Sequence, residues 1–147
     1  ASMLPLDIYA NSLDPNKVRE VIVPKEKIGP PKNSIRFSVI GINHGHIYGM
    51  VDSLINGGGT LVAVYAKEAD LLKNFTKRYP NVKIAKSEEE IIDDNSIQLV
   101  ASAAIPIERA PIGLKVMKSG KDYMTDKPGI LTFDQFNEVK KVQKEKF

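Results

Sequence analysis

The chain has 147 residues, of which 42% are hydrophobic and 27% charged, with a formal net charge of +3, the proportions of one ordinary globular domain able to bury a core. No apolar run approaches the roughly 20 residues that span a bilayer, and Ala1 to Ala10 lacks the basic start and apolar stretch of a signal peptide. Cysteine is absent, which excludes disulfide frameworks, thiol catalysis and thiolate-held metals.

Residues 1–33 hold Pro5, Pro15, Pro24, Pro30 and Pro31 and sustain no hydrophobic period. They read as an irregular N-terminal arm over the domain, with Val21-Ile22-Val23 a short extended piece; Ala1-Ser2 ahead of Met3 are set aside. From Ser34 the chain alternates. Ile35 to Ile40 is a β-branched run of the kind that forms a buried strand. Ile47, Met50, Val51, Leu54 and Ile55 then fall on one face of a helix, which Gly57-Gly58-Gly59 stops. Leu61 to Tyr65 is a second strand, and Leu71, Leu72, Phe75 and Tyr79 mark a second helix that Pro80 terminates.

The pattern continues with a brief strand at Val82 to Ala85. A capping box of Ser87 and Glu90 opens a short helix carrying Ile91 and Ile92. Ile97 to Ala101 is the fourth strand. A helix is expected from about Pro111, a residue suited to a first turn, to Gly120, and Tyr123 to Thr125 is the fifth strand. Thr132 and Gln135 cap a last helix with Phe133, Phe136, Val139 and Val142 inward. Lys140, Lys141, Lys144 and Lys146 read as its solvated face rather than a nucleic-acid patch, since stacking aromatics and a denser basic stripe are missing. Strands alternating with helices imply right-handed crossovers. The fold class is therefore α/β, a Rossmann-like doubly wound parallel sheet over residues 34–147 with helices on both faces. Ligands of such sheets bind at the carboxyl ends of the strands.

The loop after the first strand reads Gly41-Ile42-Asn43-His44-Gly45-His46, where a dinucleotide fold places its Gly-x-Gly-x-x-Gly turn. Gly41 alone holds a fingerprint position; Asn43 and His46 replace the second and third glycines, and Gly45 is out of register. His44 and His46 are the only histidines. Without an acidic or cysteine neighbour they make a poor metal site, and they are read as donors around a pyrophosphate, with loop and helix-cap roles as the alternative; no metal is expected. After the second strand an acid is usual on the adenosine ribose, roughly 20 positions beyond the turn. Here Ala66 ends the strand, 25 positions after Gly41, and Lys67 and Glu68 follow. That leans slightly to NADP over NAD, through a lysine that a 2′-phosphate can reach. Ala103, after the fourth strand, completes the strand-end positions expected against the cofactor.

The stretch Ala110-Pro111-Ile112-Gly113-Leu114, then Ser119-Gly120-Lys121, then Asp126-Lys127-Pro128 resembles the Ala-Pro-Ile-Ala-Leu, Ala-Gly-Lys and Glu-Lys-Pro sequence of the glucose–fructose oxidoreductase and inositol dehydrogenase (Gfo/Idh/MocA) family, at matching spacing. The resemblance covers about residues 34–147. It implies a nicotinamide cofactor, with Asp126 beside it, and a catalytic Lys127 that reaches the substrate next to the nicotinamide ring. It also implies a second α/β domain that holds a sugar or cyclitol, and this chain ends about where that domain would begin. The family's Thr-Pro-Asn-x-x-His is replaced by Ala104-Ile105-Pro106-Ile107-Glu108-Arg109, so its Asn and His are missing.

The expected function is thus the NAD(P)-binding domain of an oxidoreductase acting on CH–OH groups of a carbohydrate-like or polyol substrate, inactive by itself. Two alternatives stand beside it: a redox-cofactor-assisted lyase or glycosidase, and a non-catalytic nucleotide-binding or regulatory module. The partner is a small molecule, with no nucleic acid or membrane, and a homo-oligomer through the second domain is allowed. Cytoplasmic residence is the default expectation, with a processed secreted or periplasmic protein as the alternative.

Overall fold

Phe37 and Val39 point to one side of their strand and Ser38 and Ile40 to the other, and all four are fully buried. A strand covered on both faces is a central strand. In the computed structural model, which describes residues 34–146, this is β1 (Arg36–Ile40), followed by α1 (His46–Asn56), β2 (Thr60–Tyr65), α2 (Ala69–Arg78), β3 (Lys83–Ile84), α3 (Glu88–Ile92), β4 (Leu99–Ser102), α4 (Pro106–Lys118), β5 (Asp122–Thr125) and α5 (Phe133–Lys146). The expected arm at residues 1–33, with Val21-Ile22-Val23, lies outside the described residues. The sheet runs β3-β2-β1-β4-β5, and every pairing in it is parallel. The order reverses at β1, and the crevice between the ends of β1 and β4 is where such a sheet receives ligands.

Two apolar layers sandwich the sheet. One joins Phe37, Val39 and Val64 to Ile47 and Val51 of α1 and Phe75 of α2. The other joins Ile40, Ala63 and Val100 to Ile91 of α3 and to Ile112 and Val116 of α4. Between Phe37 and Val39 the register with β2 slips, and the buried Ser38 Oγ accepts the Ala63 N–H at 3.1 Å. The hydroxyl thus satisfies a donor at the irregularity that a carbon side chain would leave unpaired. On the α1–α2 side, Tyr79 donates to Asp52 Oδ1 at 2.8 Å. Burial, followed by that carboxylate, pushes the Tyr79 phenol up to about 12.

Two helix expectations need correction. The helix before β5 begins at Pro106, not near Pro111, which lies inside it. Both prolines suit a first turn, and the pattern alone does not rank them. An internal proline has no N–H for the carbonyl four residues earlier, here that of Ile107. Gln135 Nε2 from α5 donates to that Ile107 oxygen at 3.3 Å, while Gln135 Oε1 accepts the Leu131 N–H at 2.8 Å. One amide therefore caps its own helix and repairs its neighbour. In α5 itself, Val142 is buried and Val139 half-buried as expected, but Phe133 is 87% exposed and Phe136 44% exposed. The apolar stripe is real, yet only its later turns meet protein. The first turn, with Ile130 and Leu131, presents an apolar surface that no described residue covers.

Candidate functional site

Gly41 is fixed at its position twice over. Its φ is +77°, and a Cβ added there would lie 2.5 Å from the Ala104 Cβ, so the turn between β1 and α1 presses on the chain leaving β4. Backbone bonds pin it from both sides: Gly41 N–H to the Tyr65 oxygen at 2.9 Å, Ala103 N–H to the Gly41 oxygen at 3.0 Å, and His44 N–H to the Ala103 oxygen at 2.9 Å. Ala103 is itself fully buried and acts through its backbone, as the staple of the loop. The N–H groups of Asn43 and Gly45 find no partner among the described residues. Gly45 caps α1 with no side-chain hydrogen bond, and the first turn carries no acid. Around Gly45 a Cβ would meet nothing within 4 Å. The first N–H groups of α1 are taken within the turn, His46 by His44 Nδ1 at 3.4 Å, Ile47 by the His44 oxygen at 3.2 Å and Tyr48 by the Gly45 oxygen at 3.3 Å, so the donors left for an anion at this helix N-terminus are those of Asn43 and Gly45.

This asymmetry predicts that Gly41→Ala lowers stability by at least about 2 kcal/mol, combining a left-handed backbone with a collision, whereas Gly45→Ala stays within about 1 kcal/mol. Urea unfolding of the two variants measures both, and equal losses would contradict the pinned geometry.

Beyond β5 the carboxylate of Asp126 joins the loop. Its Oδ1 lies 3.0 Å from His46 Nδ1 and its Oδ2 3.1 Å from His44 Nδ1. The two rings meet edge to face, with centroids 4.3 Å apart. Asp126 is 9% exposed. Burial pushes its carboxyl up, but the His46 hydrogen bond, the Lys127 backbone N–H and the His46 and Arg109 charges outweigh that and hold it below the ordinary value. The sequence offers the two histidines no acidic neighbour; the fold brings one from 80 positions away.

Arg109, which stands at the family pattern's histidine position, is 2% exposed. Its guanidinium spans the gap between strand ends, donating to the Ala104 oxygen at 2.7 Å, the Pro128 oxygen at 3.3 Å and Asp126 Oδ2 at 3.3 Å. It thereby braces Asp126-Lys127-Pro128 from beneath. The Tyr123 hydroxyl donates to the Arg109 carbonyl at 2.8 Å, and Gly113 leaves room for that ring, since a Cβ there would come within 2.5 Å of it. Lys127 is exposed above the brace, and its ammonium makes no hydrogen bond within the described residues.

On the β2 side, Ala66 is buried and Lys67 reaches across to Glu108 Oε1 at 3.1 Å, a hydrogen bond that raises the lysine's pKa. Glu68 accepts from Asn43 Nδ2 at 2.8 Å. A carboxylate therefore stands beside the glycine turn after all, two positions beyond the strand end where the sequence shows alanine. Gly41, Asn43, Lys67, Glu68 and Glu108 line a shallow cleft at this point. Ile42 is buried under the loop and supports it without facing the cleft.

No protein-family model matches the chain, and no curated protein does. Among solved structures, it is similar to a protein described as an oxidoreductase from Erwinia carotovora atroseptica SCRI1043, at 40% identity and a TM-score of 0.75 over 77% of this chain and 34% of that one. It also matches a myo-inositol 2-dehydrogenase from Lactobacillus plantarum at 22% identity and a TM-score of 0.66, over 78% of this chain and 34% of that one. A third match is the WlbA dehydrogenase of Bordetella pertussis in complex with NADH and UDP-GlcNAcA, at 14% identity and a TM-score of 0.68 over 77% and 34% of the two chains. The chain spans about a third of the length of each. The two below 25% identity share the fold; the first also shares sequence.

Proposed function

We propose that this chain, whose described domain is the nucleotide-binding domain of a Gfo/Idh/MocA-type protein, binds NAD or NADP across the ends of β1, β2 and β4 and serves an oxidoreductase acting on the CH–OH group of a sugar- or polyol-like substrate. One observation carries the reading: a glycine turn that admits no side chain at Gly41 presents the Asn43 and Gly45 N–H groups, free among the described residues, ahead of a helix with no acid in its first turn. Asn43, Gly45 and the rings of His44 and His46 would surround the pyrophosphate. Asp126 would fix those rings, and Lys67 and Glu68 would face the adenosine ribose. The bound cofactor supplies the hydride acceptor or donor. Lys127 would hold the reacting hydroxyl, its cationic amine stabilising the negative charge that develops on oxygen. A substrate and a second domain to enclose it belong to the whole protein.

The second reading, a binding or regulatory module, is favoured by Arg109. The position at which the family pattern has a histidine is here filled by a guanidinium consumed in bracing the loops, so it does not face a nicotinamide. Lys127 is the feature that opposes this reading. Retention of cofactor with no net change in absorbance during turnover would instead indicate the lyase or glycosidase chemistry.

The slight lean to NADP rests on Lys67. Its pairing with Glu108 is solvent-exposed and so contributes little; a 2′-phosphate is the stronger partner. Glu68, by contrast, suits a free ribose hydroxyl. Lys67→Glu is therefore expected to weaken NADP binding severalfold while leaving NAD nearly unchanged, measured by calorimetric titration of the folded chain. Equal effects on the two cofactors would overturn the lean and leave dinucleotide binding itself standing.

A further inference from the structure

We infer that His44, His46 and Asp126 form a binding site for one divalent transition-metal cation of zinc-like softness. Each offers one ligand atom, and the three atoms lie within 4.8 Å of one another. The Nδ1 to carboxylate separations of 3.0 and 3.1 Å, each to a different oxygen of Asp126, fall a few tenths of an ångström short of the roughly 3.3–3.6 Å edge of a tetrahedron whose corners stand about 2.0–2.2 Å from a zinc, so the imidazoles open slightly as the metal replaces a hydrogen-bonded proton.

The surroundings fit an open site of this kind. Asp126 is held by Arg109 from the protein side, as ligating carboxylates are commonly held by an outer hydrogen bond. Both imidazoles are 52% exposed at the side chain and the carboxylate 7%. The ligands are therefore anchored below and accessible above, leaving coordination positions for water or a ligand oxygen. Two nitrogens and one carboxylate select zinc, nickel or cobalt over magnesium and calcium, which prefer oxygen. The Arg109 charge lowers affinity relative to a closed four-ligand site. The site uses the same His44, His46 and Asp126 that the dinucleotide reading sets around the pyrophosphate, but it does not rest on that reading, since metal binding is measured without dinucleotide.

The composition makes the test clean, because the chain holds two histidines and no cysteine. Any imidazole ligation observed has one source. The complete chain, without dinucleotide, is titrated with zinc chloride by calorimetry and with cobalt(II) by visible absorption. The expected result is one equivalent of either metal, an intensified cobalt spectrum, and no comparable response to magnesium. His44→Gln and His46→Gln, both at exposed positions, should each weaken zinc binding by at least about a hundredfold with the far-ultraviolet circular dichroism unchanged. Asp126→Asn should do the same if it folds, and the histidine variants decide the matter if it does not. Absence of saturable zinc binding at millimolar metal, or binding that survives both histidine replacements, would overturn the site.

Discussion

Replacing Arg109 by leucine is expected to destabilise the domain by about 3 kcal/mol, the lower part of the range for removing one partner of a buried ion pair. The guanidinium, 2% exposed, serves the Ala104 oxygen, the Pro128 oxygen and Asp126 Oδ2 together. Leucine fills part of the volume but leaves two carbonyls and a carboxylate short of donors. His46 stays on Asp126, which keeps the loss from the upper end of that range. Lysine is a poor substitute, since a single ammonium lacks the planar fork that spans three acceptors, so Arg109→Lys should recover less than half of the loss. Urea unfolding should show a lowered midpoint at unchanged slope, the signature of lost stability without a change in surface exposed. A loss below about 1 kcal/mol would show that the brace is not what joins the ends of β4 and β5.

Lys127→Ala should behave in the opposite way, sparing the fold and removing the chemistry. The side chain is exposed and its ammonium holds nothing else together among the described residues, so stability should stay within about 0.5 kcal/mol. In the full-length protein, kcat should fall by about 10²–10⁴-fold, the usual contribution of a proton-handling or charge-stabilising group. Cofactor affinity should change little, because an interaction made mainly in the transition state acts on rate rather than on ground-state binding. The 147-residue chain by itself is expected to bind cofactor without turnover, since no described residue encloses a substrate above Lys127. A full-length Lys127→Ala protein as active as its parent would leave the binding-module reading in possession.

The alternation of strands and helices was legible because each is a local pattern: the run Ile35 to Ile40, the stripe from Ile47 to Ile55, the glycines that end it. The capping residues were legible for the same reason, and Ser87 does accept the Glu90 N–H at 3.3 Å. The helix expected from about Pro111 begins at Pro106, because a proline suited to a first turn does not by itself mark the start. The Ile107 carbonyl that Pro111 leaves without a donor is met by a glutamine 28 positions away. Inward and outward were likewise undecidable for Phe133 and Phe136, because periodicity marks an apolar face without saying whether anything covers it. At the candidate site, the glycine turn and the loop bearing Lys127 could be read singly. Their joining by Asp126 and Arg109 could not, since those contacts run between separate strand ends. Glu68 lies two residues beyond the usual place of the ribose acid, and only the fold, which brings Asn43 to its carboxylate, sets it beside the glycine turn.

Dinucleotide binding at the Gly41 to His46 loop is the claim on which the rest depends, and a paired titration addresses it most directly. Gly45→Glu is the partner variant: its side chain enters open space, so the fold is spared, and it places a carboxylate at the helix start where the pyrophosphate would lie. Calorimetric titration of the folded chain with NAD and with NADP should give saturable binding of at least one of them. The Gly45→Glu protein, equally folded by circular dichroism, should lose it through charge repulsion at the site that favours anions. No heat of binding from either cofactor at millimolar concentration, or binding that Gly45→Glu leaves intact, would contradict the account.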